Sequence, residues 1–329
     1  MDKYVIGVDG GGTKTEAVLI SRTGEIIARI RGGSSNLQAL GEEKLKQELT
    51  SLISRLLKKT NTPASKVMWL FLGLAGAGRK SDQKKILSLF DDTEFKSKLT
   101  VDSDAIIALA GAFGNRPGII LIAGTGSICF GKNENGKIVR SGGWGYLLGD
   151  EGGGYYIGRE AVMAALKDLD GRGESTTLRN VIETKLNLNS IEEIIPLIYQ
   201  NKFDRVAIAD LALNVFDLAK NEDAVSQQII KNAGKELGKL AKAVAHRLGF
   251  KDDNINIALI GSVFKQKEML VNEISKELFE LSWNIEISEP QFDPAVGAAI
   301  LASEKAGVYD ETMLNSLKKS LKNYIQYIE

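Results

Sequence analysis

Apolar positions along this chain follow two rhythms. Tyr4–Val8, Glu16–Ser21 and Ile26–Ile30 are short runs rich in Val, Ile and Leu, separated by glycine-bearing turns, and they predict three strands. Over Glu42–Lys59 the spacing stretches to three and four. Leu45, Leu49, Leu52, Ile53, Leu56 and Leu57 then share one face, which predicts an amphipathic helix. Val67–Leu74 reads as a buried strand running into a glycine-rich turn at Gly73–Gly78. A helix at Ser81–Phe90, a short strand at Leu99–Val101 and a helix at Ala105–Phe113 follow.

At Gly118 the rhythm restarts. Gly118–Ala123 is a strand, Gly124-Thr125-Gly126-Ser127 a second glycine turn, and Ile128–Lys132 and Ile138–Ser141 two further strands. Strand, glycine turn, strand, turn, strand therefore occurs twice, with Gly10 matching Gly124, and this is read as an internal duplication. Two related halves are expected to form a cleft faced by both glycine turns. The remainder turns helical: Gly158–Leu169, Leu178–Lys185, Val206–Asn221, Ala224–Leu248 and Lys265–Phe279 are predicted helices, with strands at Ile255–Ile260 and Ile285–Ser288. A helix at Pro294–Gly307 and a Lys-rich amphipathic tail at Glu311–Ile328 complete the chain.

Composition narrows the class. The chain has 329 residues, and its 42 Lys and Arg balance 42 Asp and Glu. A balanced charge argues against nucleic acid or an anionic membrane as the main partner. No window offers the run of about 18 apolar residues that a membrane span needs. Met1-Asp2-Lys3 leads straight into a strand, so no signal peptide and a cytoplasmic location are expected. The single cysteine, Cys129, excludes an intrachain disulfide and reads as a core thiol. His246 has no second histidine to work with.

The first turn, Asp9-Gly10-Gly11-Gly12-Thr13-Lys14-Thr15, carries the chemistry. Consecutive glycines bring backbone N–H groups close to an anion, Thr13 and Thr15 add hydroxyls, and Lys14 adds a positive charge. This suits phosphate, whereas the Asp9 carboxylate would repel it unless a cation lay between. The reading is a hydrated Mg²⁺ on Asp9, with phosphates on Gly11, Gly12, Thr13 and Lys14. No GxxxxGK[ST] stretch occurs, and the chain leaves Gly12 for a strand rather than a helix, so neither a P-loop nor a dinucleotide fingerprint is present.

With DGGGTKT, the second turn AGTGS and GSVFK after a late strand, the chain resembles the actin/Hsp70/sugar-kinase superfamily. Gly33-Ser34-Ser35-Asn36, Asp104-Ala105, Gly142-Gly143-Trp144-Gly145, Asp150-Glu151-Gly152-Gly153, Asp170-Gly171-Arg172-Gly173 and Pro294-Ala295-Val296-Gly297-Ala298 narrow it further. They look like the N-acetylglucosamine kinase branch of the BadF/BadG/BcrA/BcrD ATPase family. The resemblance implies an α/β fold of two duplicated ribonuclease-H-like (actin-like ATPase) domains with ATP and sugar in an interdomain cleft. The domains expected are 1–115 and 116–307, with the helix at 308–329 docked on the first, in a homodimer.

By the same resemblance Thr13, Gly124, Thr125 and Gly126 contact ATP phosphates, and Gly261, Ser262 and Lys265 lie near the adenosine. Asn36, Asp104, Gly143, Trp144, Gly145 and Asp150 line the sugar site, and Asp104 is the catalytic base. Position alone leaves Asp102 and Asp104 equal for that role, since both sit at a strand-to-helix corner. Trp144 reads as either a core anchor or a wall against a sugar face. Leu74-Ala75-Gly76-Ala77-Gly78 departs from the branch, whose sugar kinases often carry a Ser in this turn, and so loses a hydroxyl near the substrate.

The expected activity is ATP-dependent phosphorylation of the 6-hydroxyl of an amino sugar, with N-acetylglucosamine leading and glucosamine, N-acetylmuramic acid or another hexose as alternatives. A different class, an ATPase that activates an electron-transfer partner, needs two cysteines per subunit for a shared iron–sulfur cluster. One cysteine inside a strand argues against it.

Overall fold

The computed structural model describes residues 2–200, 205–250, 254–279 and 284–326, with side chains described up to 323. The chain forms two compact units, one from residues 1–116 and 290–329, the other from 117–289.

The first unit opens with β1 (Tyr4–Gly10), β2 (Thr15–Ser21) and β3 (Ile26–Gly32), an antiparallel meander. A short α1 (Leu37–Leu40) leads into α2 (Glu42–Lys59), then β4 (Val67–Leu74), α3 (Lys80–Ser88), β5 (Leu99–Ser103) and α4 (Asp104–Phe113). β4 and β5 join parallel to β1, giving the order β3-β2-β1-β4-β5. Strand alternation divides the core between the two faces of this sheet. Ile6, Val8, Ala17 and Leu19 pack in one cluster with Leu45, Leu49, Leu52, Ile53 and Leu56 of α2. Val5, Val18 and Ile20 belong to the cluster on the other face.

The second unit repeats the plan. It runs β6 (Gly118–Ala123), β7 (Ser127–Lys132), β8 (Ile138–Gly142), α5 (Gly154–Leu169), α6 (Leu178–Leu186), α7 (Ile194–Tyr199), α8 (Arg205–Lys220) and α9 (Ala224–Leu248). β9 (Asn254–Ile260), α10 (Glu268–Phe279) and β10 (Asn284–Ser288) finish it. Read from the meander edge, the order β8-β7-β6-β9-β10 is that of the first sheet, with the same antiparallel and parallel pairings. The duplication read from the glycine turns is therefore a duplication of topology.

The chain then returns to the first unit with α11 (Pro294–Lys305) and α12 (Glu311–Gln326). α11 fills the second face of the first sheet: Ala295, Val296, Ala299 and Ile300 share a cluster with Val5, Val18 and Ile107. It meets α4 backbone to backbone, since a Cβ on Gly297 would lie 2.0 Å from the Ile107 carbonyl oxygen. The division at 307 expected from sequence places this helix in the second half. Its small-residue face instead covers β1, and the return comes at Pro290. α12 follows it onto β3, where Ser320 Oγ accepts the Ile26 N–H at 2.9 Å.

Two local readings also shift. α5 begins at Gly154 rather than Gly158, because its first N–H groups are taken up by the Gly124 and Thr125 carbonyls. A 3₁₀ turn, Ser262–Gln266, precedes α10 where one helix was expected from Lys265. The last residues of the predicted tail helix, 327–329, lie outside the described residues.

Candidate functional site

In the first unit the candidate residues gather at the carboxyl ends of β1, β4 and β5, where open α/β sheets place ligands. Asp9 is the penultimate residue of β1, and the loop after it is closed by Gly11 N–H donating to the Lys14 carbonyl at 2.9 Å. Gly12, Thr13 and Lys14 are exposed, and among the described residues no hydrogen bond takes up the N–H of Gly12 or Thr13. Two neighbouring segments are tied to this loop: Ser35 N–H donates to Gly11 O at 3.0 Å, and Ala75 N–H to Gly10 O at 2.7 Å.

Electrostatics set Asp9 apart. Burial, then the charges of Asp104, Asp293 and Glu16, push its carboxyl up to about 6, with Lys14 pulling the other way. Arg29 pairs with Glu16 and Asp293 at 2.7 Å each, so this guanidinium is already engaged by two other carboxylates. This surplus of negative charge suits a divalent cation. Among the described residues no group of three His, Cys, Asp or Glu side chains is arranged to hold a metal alone. The donor set therefore fits an ion that keeps several waters and takes phosphate oxygens, as Mg²⁺ does.

The structure separates the two carboxylates that position left equal. Asp102 ends inside β5, and its Oδ1 accepts Gln83 Nε2 at 3.2 Å and the Ser103 N–H at 2.8 Å. Gln83 is buried and also donates to Ala77 O at 3.0 Å, so Asp102 is part of a brace on the turn after β4. Asp104 is the first residue of α4, and its Oδ1 accepts the Ala105 N–H at 2.9 Å. Asp104 keeps an exposed edge, yet desolvation by the surrounding protein raises its carboxyl above the usual range. Asn36 caps α1, its Oδ1 accepting the Gln38 N–H at 2.9 Å, which leaves its amide nitrogen for other partners. A Cβ on Gly76 would lie 3.5 Å from that Oδ1, so the hydroxyl-free turn after β4 adjoins Asn36.

In the second unit the turn Gly124-Thr125-Gly126 is gripped by the start of α5, through Gly154 N–H to Gly124 O at 2.7 Å and Tyr155 N–H to Thr125 O at 2.9 Å. Asp150 is buried with a left-handed backbone, φ 62°, a conformation that Asp tolerates better than most residues. Its Oδ1 accepts the Gly145 N–H at 3.2 Å. Its Oδ2 would stand 2.2 Å from a Cβ on Gly126, so a side chain there would displace the carboxylate. The structure thus brings Asp150, Gly145 and the glycine turn together. Gly143 joins them through its N–H to Ser127 O at 3.0 Å. Trp144 is 66% exposed with the Arg140 guanidinium 4.5 Å over its ring, which rules out the core-anchor alternative.

Gly261, Ser262 and Lys265 follow β9. Ser262 and Lys265 line a cavity of about 130 Å³ with Gly124, Thr125, Asp210 and Leu213. Asp210 and Leu213 lie on α8 and were missed from sequence. An amphipathic helix with no motif gives no signal that one of its exposed flanks walls a pocket. A larger groove of about 700 Å³, lined among others by Ile53, Leu57, Phe90 and Phe95, contains none of the candidate residues. Cys129 is fully buried and burial pushes its thiol far above the usual range, as a core thiol requires.

Known proteins of similar sequence span nearly the same length. The chain is 38% identical to an N-acetylmuramic acid/N-acetylglucosamine kinase of Clostridium acetobutylicum over 91% of its length and 98% of the relative. It is 33% identical to an N-acetyl-D-glucosamine kinase of Dictyostelium discoideum, covering 90% of this chain and 97% of that one. A solved structure from Chromobacterium violaceum, provisionally designated an N-acetylglucosamine kinase, matches with 28% identity and a TM-score of 0.68 over 92% of this chain and 99% of its own. The BadF/BadG/BcrA/BcrD ATPase family matches residues 6–302. Two copies of one five-stranded topology, each carrying a glycine turn at the same place, and a family match over nearly the whole length lead to one conclusion: the chain belongs to the BadF/BadG/BcrA/BcrD ATPase family.

Proposed function

We propose that this protein is an ATP-dependent kinase that transfers the γ-phosphoryl group to the 6-hydroxyl of N-acetylglucosamine. The observation that carries this reading is the exposed Asp104 carboxylate at the start of α4, near a glycine loop whose Gly12 and Thr13 N–H groups have no partner among the described residues, in a chain whose full-length relatives are kinases of this sugar class.

The roles follow from the chemistry of each group. The N–H groups of Gly12 and Thr13, the Thr13 hydroxyl and the Lys14 ammonium receive phosphate oxygens, with Thr125 in the second turn serving the same purpose. Asp9 would hold Mg²⁺, which when bound neutralises phosphate charge. Asp104 accepts the proton of the attacking sugar hydroxyl, as its raised pKa favours. The new bond joins that oxygen to the γ-phosphorus as the bond to the ADP oxygen breaks. Asp102 stays braced by Gln83. Asn36 and Asp150 hold sugar hydroxyls or the amide, and Trp144, open to solvent, offers an aromatic face to the ring. The cavity at Ser262 and Lys265 takes the adenosine.

The reading places the protein in the cytoplasm as a homodimer. No helix among the described residues is long and apolar enough to cross a membrane, in keeping with that location. Light scattering on the purified chain tests the dimer. N-acetylmuramic acid is the second acceptor to test, because the Clostridium acetobutylicum relative is named for both sugars. An ADP-release assay with a panel of hexoses and hexosamines decides the main claim. Strong stimulation by N-acetylglucosamine supports it, while equal ATP turnover with and without every sugar removes it.

A further inference from the structure

Each repeat opens its second strand with a buried hydroxyl. Thr15 begins β2 and Ser127 begins β7, and each is 3% exposed. Thr15 Oγ1 lies 2.6 Å from the Gly33 carbonyl oxygen and 2.8 Å from Ser35 Oγ. A threonine hydroxyl has a single hydrogen. Thr15 is the donor toward both oxygens, so its one hydrogen is shared between the Gly33 carbonyl and Ser35 Oγ. Ser35 is itself fully buried, and its N–H holds Gly11 O. In the second repeat Ser127 Oγ donates to Glu151 O at 2.6 Å, and the Ser127 carbonyl accepts the Gly143 N–H.

These bonds connect particular segments. In each unit one end is the strand leaving the glycine turn. The other is the segment holding the proposed sugar residues, 33–36 in the first unit and 143–151 in the second. A position at the start of a buried strand suits an apolar β-branched residue, which fills the volume with no polar atom to satisfy. Both repeats place a hydroxyl there instead, and both use it on the same partner type at the same distance.

We propose that Thr15 and Ser127 are positioning residues that couple the nucleotide and sugar sites, so that either substrate raises the affinity for the other. The proposal rests on the reading above that these loops bind ATP and an amino sugar. The physical basis is shared ordering. A ligand that fixes the glycine turn also fixes the segment clasped to it, and the second ligand then meets less ordering cost.

Titration calorimetry tests this with N-acetylglucosamine, with and without a non-hydrolysable ATP analogue and Mg²⁺. In the wild-type chain the analogue is expected to lower the sugar Kd by about fivefold or more, within the usual range of coupling. Linkage requires the sugar to tighten the analogue by the same factor. In Thr15→Val and in Ser127→Ala the factor is expected to fall toward one, while Thr15→Ser, which keeps the hydroxyl, retains it. Ser35→Ala only removes an atom, so it serves if the valine variant does not fold, and it too should lower the factor. A factor of one in the wild type, or an undiminished factor in the folded Val and Ala variants, overturns the coupling and leaves the kinase reading standing. Failure of the wild-type chain to bind either substrate overturns both.

Discussion

Two positions along the chain separate Asp102 from Asp104, and the junction between β5 and α4 falls between them. That junction ties Asp102 Oδ1 to a glutamine side chain and a backbone N–H, whereas Asp104 Oδ1 accepts only the N–H of its neighbour Ala105 and the residue is exposed. Asp104→Asn is expected to lower kcat by about 10²–10⁴-fold, the usual worth of a general base, with sugar affinity largely kept. Asp102→Asn should instead retain most of kcat and lower stability by loosening the turn at Ala77. A dead Asp102→Asn beside an active Asp104→Asn would reverse the assignment. Asp9 makes a second prediction through pH. Its carboxyl titrates near 6 in the fold against an ordinary 3.8, so between these values the folded state holds a proton that the unfolded state has lost. Stability from this group is therefore present below about pH 4 and lost as pH rises through 6. Without a divalent cation, Asp9→Asn should melt above the wild type at pH 8, with the difference closing near pH 4, while its turnover collapses. Thermal melts across that pH range check the first part and the ADP assay the second.

At the scale of elements, the helix read from the apolar stripe is the plainest success. Leu45, Leu49, Leu52, Ile53 and Leu56 are all buried, as their spacing requires. Leu49 is fully buried in the cluster that α2 shares with β1 and β2, so Leu49→Ala should cost about 2–5 kcal/mol in a denaturant melt without altering the sugar KM of the folded fraction. Glycine turns are a harder case. The residue types of the two turns at Gly10 and Gly124 predicted phosphate contact, but the two are built differently. Gly126 is confined by the Asp150 carboxylate, and Gly126→Ala is expected to displace it and raise the sugar KM at least as strongly as kcat falls. The stretch 154–157, just before the predicted helix start, follows a run of glycines that weaken helices in isolation. It becomes the start of α5 because the Gly124 and Thr125 carbonyls accept its N–H groups.

The whole molecule is a duplicated sheet with helices from the far end of the chain returned to the first copy. Nucleotide bound to the native state alone must stabilise it by mass action, by about 2.7 kcal/mol at a ligand concentration 100 times Kd. A non-hydrolysable ATP analogue with Mg²⁺ should therefore raise the melting temperature by several degrees, and no shift at saturating analogue would contradict nucleotide binding.

The sequence by itself determined the strand–glycine turn–strand rhythm, its repetition, the buried faces and the place of the glycine turns. All of these follow from local periodicity and from residue chemistry within a few positions. Only the tertiary structure decided which carboxylate is braced by another side chain, since Gln83 must be brought to Asp102 from another element. Only it decided that α8 walls the cavity beside Ser262, and that Trp144 stands in solvent under Arg140. It also decided that α11 covers β1 of the first unit, where Asp293 meets Arg29. The physical reason is common to these cases: each depends on a contact between residues distant along the chain, whose energy is gained only after the sheets have assembled.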